Sequence, residues 1–363
     1  MARESLLLKL QQASGAEIVE RDNWLLAAHF GDPLEEYRAV HTRVGIFDFC
    51  ARNFLRFTGA DRVSFLNGMV PNDVKTLSPG QGLYAAFLDI HGKILADARV
   101  FCTDQALLVD LPELCKEQIL QHLERHLVAD EVEIQDLSAD WTMISLQGPA
   151  AANLAREAVS ISALPDSELA HATGAIGSCN IFLIRVMHAP QDGYDLVLPC
   201  SEAIEAVRRL QEIGKKFGLC WVGANAYEML RIEAGIPRYG VDMNADNLLL
   251  ETGLEHAVSY TKGCYLGQEI IERIHSRGHV NKQLAGLILG GRVPVERGSA
   301  ILYAGREVGK ITSSVFSPYK DSAIALGYVQ REACNPGESV VVRDRTKEIT
   351  AALAALPIYP ATA

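Results

Sequence analysis

Residues 262–282 read KGCYLGQEIIERIHSRGHVNK, and the texture of the chain changes across them. The stretch opens with Gly263 and Gly267 flanking Cys264 and closes on Arg277-Gly278. Downstream, short strand-like runs recur at 284–289, 307–312, 323–329, 339–342 and 349–354. Turn residues separate them and no helix is evident, which predicts a small all-β domain, a barrel. The boundary is expected near 279–282, dividing a region 1–280 from a C-terminal domain 281–363.

Upstream, helical and strand-like patterns alternate. Residues 1–12 carry Arg3, Glu4 and Lys9 among leucines and predict a short amphipathic helix. Helical spacing follows at 34–41 and 60–69, with 46–58 reading as one strand. The runs 83–88 and 94–102 predict a strand pair joined through Asp89-Ile90-His91-Gly92-Lys93. A strand at 107–111 precedes a helix opened by Pro112. Strands at 141–146, 181–186 and 194–198 alternate with helices at 149–159, 201–217 (Ser201 as cap) and 226–234.

A chain of 363 residues is too long for one ordinary core. With 48% apolar and 22% charged residues its composition is globular. The formal charge of -11 argues against a general nucleic-acid surface, which needs cations to neutralise phosphates. No apolar run reaches the ~20 residues that span a bilayer. None of the eight cysteines is spaced Cys-x-x-Cys, so no metal site is expected. Free thiols and the lack of a secretory pattern predict a cytoplasmic location.

Several segments resemble the T-protein (aminomethyltransferase) superfamily in order along the chain. They are Val44-Gly45-Ile46-Phe47-Asp48, Val70-Pro71-Asn72-Asp73, Leu146-Gln147-Gly148-Pro149, Leu230-Arg231-Ile232-Glu233-Ala234-Gly235, and Ile311-Thr312-Ser313 followed by Phe316-Ser317-Pro318. The segment Lys262-Gly263-Cys264-Tyr265-Leu266-Gly267-Gln268-Glu269 resembles the signature of the YgfZ branch. Its relatives support iron–sulfur proteins and are linked to tRNA modification; the T-protein proper lacks that cysteine. The resemblance implies an α+β fold, with two mixed α/β subdomains around a central channel for tetrahydrofolate and a C-terminal β-barrel.

Cys264 is the first candidate for chemistry. The glycines beside it permit a tight turn and close approach of a ligand, and Lys262, Arg273 and His275 nearby in sequence favour a thiolate. Asp97 is the second. A carboxylate among strand residues is costly unless paired or facing a cavity. The resemblance implies that it faces the reacting nitrogens of the folate; the competing reading is a solvated strand face opposite Ala96 and Ala98. Asp195 matches a glutamate that pairs with the pterin ring, one methylene longer. Tyr84 matches a tyrosine beside the folate. The T-protein's tyrosine- and glycine-rich turn before that glutamate is replaced here by His188-Ala189-Pro190-Gln191-Asp192. Lys262, Arg273, Arg277 and Lys282 form a local basic group suited to a folate glutamate tail. Arg231 and Glu233, two apart on a helix, cannot face each other and are expected to pair with other elements.

Three functions fit these residues. The expected one is a folate-binding YgfZ-type protein serving iron–sulfur enzymes, with Cys264 and Asp97 on one cavity. The alternatives are a folate-dependent aminomethyltransferase or demethylating enzyme, and a folate-binding scaffold without turnover.

Overall fold

The computed structural model describes residues 2–189 and 191–359, without the Arg277 side chain. Pro190 of the 188–192 turn and the Arg277 side chain of the basic group therefore lie outside it. Local signals account for many elements. Asp32 accepts a hydrogen bond from Leu34 N at 2.9 Å and Pro33 follows it, so a helix starts there and covers Pro33–Thr42. The strand pair Gly82–Leu88 and Ile94–Cys102 is antiparallel as expected. The helix expected from 201 spans Ala203–Gly214, but Ser201 does not cap it; Glu202 stands at that position with no side-chain bond.

Two sheets share the upstream region, and the chain passes between them twice. Val44–Asp48 belongs to a six-stranded sheet, and Arg52–Thr58 to a five-stranded one. The run 46–58 is thus two strands, broken at Phe49-Cys50-Ala51 where the chain changes sheets. After Glu133–Asp136 closes the five-stranded sheet, the chain returns to the first one through Trp141–Gln147, Cys179–Arg185 and Gly193–Pro199. The N-terminal stretch is a strand, Arg3–Glu4, followed by a short helix, Leu8–Ala13. The strand joins Trp24–His29 and Glu17–Arg21 in a small third sheet.

The last domain is a closed barrel of six strands, beginning at Lys282–Leu289 and ending at Lys347–Ala354. Ala300–Tyr303 is the strand that the pattern missed: at four residues it offers little alternation to read. The helix Ala224–Glu233 fastens the barrel to the rest. Arg231, fully buried, donates to Glu228, to Asp242 at 2.8 Å and to Ser313 at 2.9 Å. Glu233 accepts from Tyr37 at 2.7 Å and from Ser317. Arg231 and Glu233 thus pair with separate elements, and the paired motifs 230–235 and 311–318 form this joint.

Candidate active site

The strand Ile94–Cys102 is covered on both faces. Side chains alternate along it, so Ile94, Ala96, Ala98 and Val100 enter one core while Asp97 and Arg99 turn the other way. That second face is not solvated. It borders a cavity of ≈ 1020 Å³ between the two upstream sheets and the barrel. Asp97, Arg99, Tyr84, Arg52, Asn72, Phe49, His188 and Tyr227 are in its wall.

Register explains how the charges meet. Arg99 lies opposite Tyr84 on one neighbouring strand and opposite Asp110 on the other. Arg52 donates from Nε to both Asp110 oxygens, at 2.7 and 3.0 Å. Arg99 pairs with the same carboxylate and reaches across to the six-stranded sheet, where Nη1 meets Asp195 at 2.7 Å. His188 Nε2 approaches both Asp195 oxygens at 3.0 Å. The result is a buried chain of alternating charge, Asp97–Arg52–Asp110–Arg99–Asp195, which His188 joins at Asp195; Asp97 and His188 both lie in the cavity wall.

Asp97 is the loosest link. Tyr84 donates its hydroxyl to Oδ2 at 3.2 Å, and Arg52 is 3.9 Å away. Oδ1 is buried and has no partner among the described residues; the same holds for Arg52 Nη2. Burial pushes the Asp97 carboxyl above its ordinary range, and Arg52 only partly offsets this. Asp195 behaves oppositely. Burial alone raises it too, but His188 and Arg99 outweigh that and hold it well below the usual carboxylate range. Asn72, from the Val70-Pro71-Asn72-Asp73 motif, ties the rim by donating to the carbonyls of Tyr84 and His256 at 2.8 and 3.0 Å.

Of the residues chosen from sequence, Asp97 and Tyr84 share the cavity, and Tyr84 acts there through its hydroxyl as well as its ring. Asp195 stands one layer back. It is fully buried with Arg99 and His188 on its oxygens, so it does not form the wall as a direct pterin contact requires. Its short side chain stops behind those two partners.

The Cys264 region is elsewhere. Cys264 is exposed and outside the cavity wall, so the expected common site with Asp97 is not formed. Lys262 is spent on structure. Its Nζ donates to the carbonyls of Asn67, Val70 and Asn72 at 2.5, 2.8 and 2.7 Å, and burial lowers its pKa to about 8. Arg273 pairs with Glu269 one turn away at 2.6 Å, His275 stacks on Tyr260, and neither is in the cavity wall. Lys282 lies 3.7 Å from Glu251. Gly267 has φ of +84°, and a Cβ there would sit 2.7 Å from Asp89 O. The glycine lets the loop pack on the 89–93 hairpin.

Sequence reasoning missed Arg52, Arg99, Asp110 and His188. Charged residues inside strand-like runs were the available signal, as they were for Asp97.

Comparison with known proteins agrees with this layout. Residues 7–262 match the model of the GCVT N-terminal domain, and residues 282–360 that of the glycine cleavage T-protein C-terminal barrel domain. The aminomethyltransferase of Rubrobacter xylanophilus is 31% identical over 98% of this chain and 94% of the relative. That of Synechococcus is 29% identical over 97% and 98%. The crystal structure of glycine cleavage system aminomethyltransferase T from Bartonella henselae superposes with a TM-score of 0.90, at 23% identity, over 99% of this chain and 98% of the other. These relatives carry the name of the alternative function and not that of the YgfZ branch, which corrects the expected order of the two.

Proposed function

The chain belongs to the glycine-cleavage T-protein family, and on that premise we propose that it is a tetrahydrofolate-dependent one-carbon transferase of the aminomethyltransferase type. The observation that carries the reading is Asp97, a residue in the wall of a cofactor-sized cavity whose buried Oδ1 has no partner among the described residues. Arg52 Nη2 beside it is likewise free. A carboxylate acceptor and a guanidinium donor in this arrangement fit a polar ligand that bears both amine N–H groups and acceptor atoms. Tetrahydrofolate, when bound, supplies the ring nitrogens that take up the one-carbon unit. Asp97 accepts a hydrogen bond from the reacting amine, orients it, and holds a proton on its carboxyl during transfer. Its raised pKa suits that exchange, and Tyr84 keeps Oδ2 in place. Burial of Asp97 and its partners strengthens these contacts.

Calorimetry with tetrahydrofolate and a transfer assay with an aminomethyl donor test the reading. Asp97→Asn is expected to lower kcat by about 100-fold, the usual scale for a positioned acid–base group, with affinity changed only a few-fold. Wild-type protein that binds tetrahydrofolate but gives no transfer would leave a scaffold instead.

A second reading rests on Cys264, exposed at the surface within the 262–269 segment. In it the protein is of the YgfZ type, the folate site serves regulation, and the thiol meets an iron–sulfur protein outside the cavity. Cys264→Ser that abolishes support of iron–sulfur enzymes in a cell lacking its own homologue, with folate binding intact, favours that reading over the first.

A further inference from the structure

Lys262 stands outside the cavity wall, yet one of the carbonyls it holds belongs to Asn72, which is in the wall. The other two, of Asn67 and Val70, lie at the end of the helix Arg62–Met69, where carbonyls lack donors within the helix. A lysine ammonium brings three N–H groups to one point and no acceptor, so it suits three converging carbonyls. The Tyr265 ring, 5.2 Å from the same nitrogen, favours its charge. Burial lowers the pKa only to about 8, so the ammonium form prevails at neutral pH.

Asn72 passes that anchorage on. Its Oδ1 accepts from Asp73 N at 2.9 Å, which fixes the orientation of the amide. Its Nδ2 is then free to donate to the carbonyls of Tyr84 and His256. The strand Gly82–Leu88 is an edge of the five-stranded sheet. An edge strand turns part of its backbone away from the ladder, and at Tyr84 Asn72 supplies the missing donor. The His256 ring packs on that of Tyr84 at 5.1 Å. Tyr84 in turn donates its hydroxyl to Asp97 Oδ2 at 3.2 Å. Three hydrogen bonds thus join Lys262 to Asp97, through the Asn72 carbonyl, the Asn72 amide and the Tyr84 hydroxyl.

We propose that Lys262 is a positioning residue for Asp97, acting through Asn72 and Tyr84 without touching the ligand. The inference rests on the one-carbon-transfer reading above. It gives the 262–269 segment a part in that chemistry from outside the cavity.

The Asp97 carboxyl reports on this chain of bonds without any turnover. The Tyr84 hydroxyl lowers its pKa, so slackening that bond should move its titration upward. Carboxyl ¹³C NMR, with the Asp97 signal assigned from Asp97→Asn, should find Asp97 titrating at higher pH in Lys262→Met and in Asn72→Ala. In Tyr84→Phe, which lacks the hydroxyl, adding Lys262→Met should shift it no further. In the transfer assay Lys262→Met should lower kcat about 10-fold, as a slight misplacement of a reacting group does, with tetrahydrofolate affinity changed only a few-fold. An Asp97 titration that stays put in either folded variant, or an unchanged kcat, overturns the proposal while leaving the folate reading in place. If Lys262→Met does not fold, Asn72→Ala decides by the same titration. Wild-type protein that binds tetrahydrofolate without transfer overturns the transferase reading, and the Asp97 titration still decides the positioning.

Discussion

The wall around Asp97 and the loop around Cys264 treat charge in opposite ways. At Asp97, groups from the Arg52–Thr58, Ile94–Cys102, Leu107–Pro112 and Gly193–Pro199 strands converge beside a cavity, and their pairing leaves one buried carboxylate oxygen without a partner among the described residues. At Cys264, each described cation has a local partner: Lys262 on three carbonyls, Arg273 on Glu269. The first region stores unsatisfied polarity for a ligand, and the second resolves its own. The loop also falls in the stretch 263–281 that separates the two family matches. A sharp local motif and a buried, energetically expensive constellation are therefore different kinds of evidence. Only the second points to a ligand on physical grounds.

The contrast can be broken most directly at Arg99. Arg99→Met removes the guanidinium shared by Asp110 and Asp195 and leaves buried carboxylates short of a partner. A loss of about 3 kcal/mol is expected in urea unfolding. A loss below about 1 kcal/mol would mean that the chain of charge is not the fastening it looks like.

Lys262→Met comes next. It strands the carbonyls of Asn67, Val70 and Asn72, and about 2 kcal/mol should be lost with faster proteolysis near the loop. Tetrahydrofolate affinity should stay within a few-fold, since the lysine is not in the cavity wall. A large selective loss of folate binding would return Lys262 to the site.

Asp97→Asn sharpens the comparison through pH. Because the folded pKa of Asp97 is raised, the folded state holds its proton where the unfolded chain has released it. Stability is thus lost as pH rises from about 3.9, the unfolded value, through the folded one. The asparagine variant lacks that loss and should be more stable than wild type near neutrality, with no gain near pH 3. Equal stabilities at both pH values would place Asp97 in a well-compensated site.

The smallest effect is expected at Cys264. Cys264→Ser should change stability by less than about 0.5 kcal/mol, as exposed substitutions do. The thiol should also be the first of the eight to be alkylated. Burial raises Cys50, Cys102, Cys115, Cys179, Cys200, Cys220 and Cys334, Cys220 to about 11, whereas Cys264 is the exposed one. Peptide mapping after brief iodoacetamide treatment checks the order.

The sequence by itself determined the change of architecture near Lys282 and most strands of the barrel, because alternation and turn chemistry are local. It also marked Asp97, since a carboxylate inside an apolar strand is conspicuous without any partner in view. It showed that Arg231 and Glu233 could not face each other. Tertiary structure alone decided the rest. Lys262, Arg273 and Cys264 are neighbours in the chain, yet one amine turns inward, one guanidinium folds back on its own helix and the thiol faces out. Arg52, Asp110 and the neighbouring pair His188 and Asp195 are far apart in sequence and meet through Arg99 because strand register and the crossing between two sheets bring them within hydrogen-bond reach. Ion pairing depends on distance and burial after folding, and residue spacing along the chain carries neither.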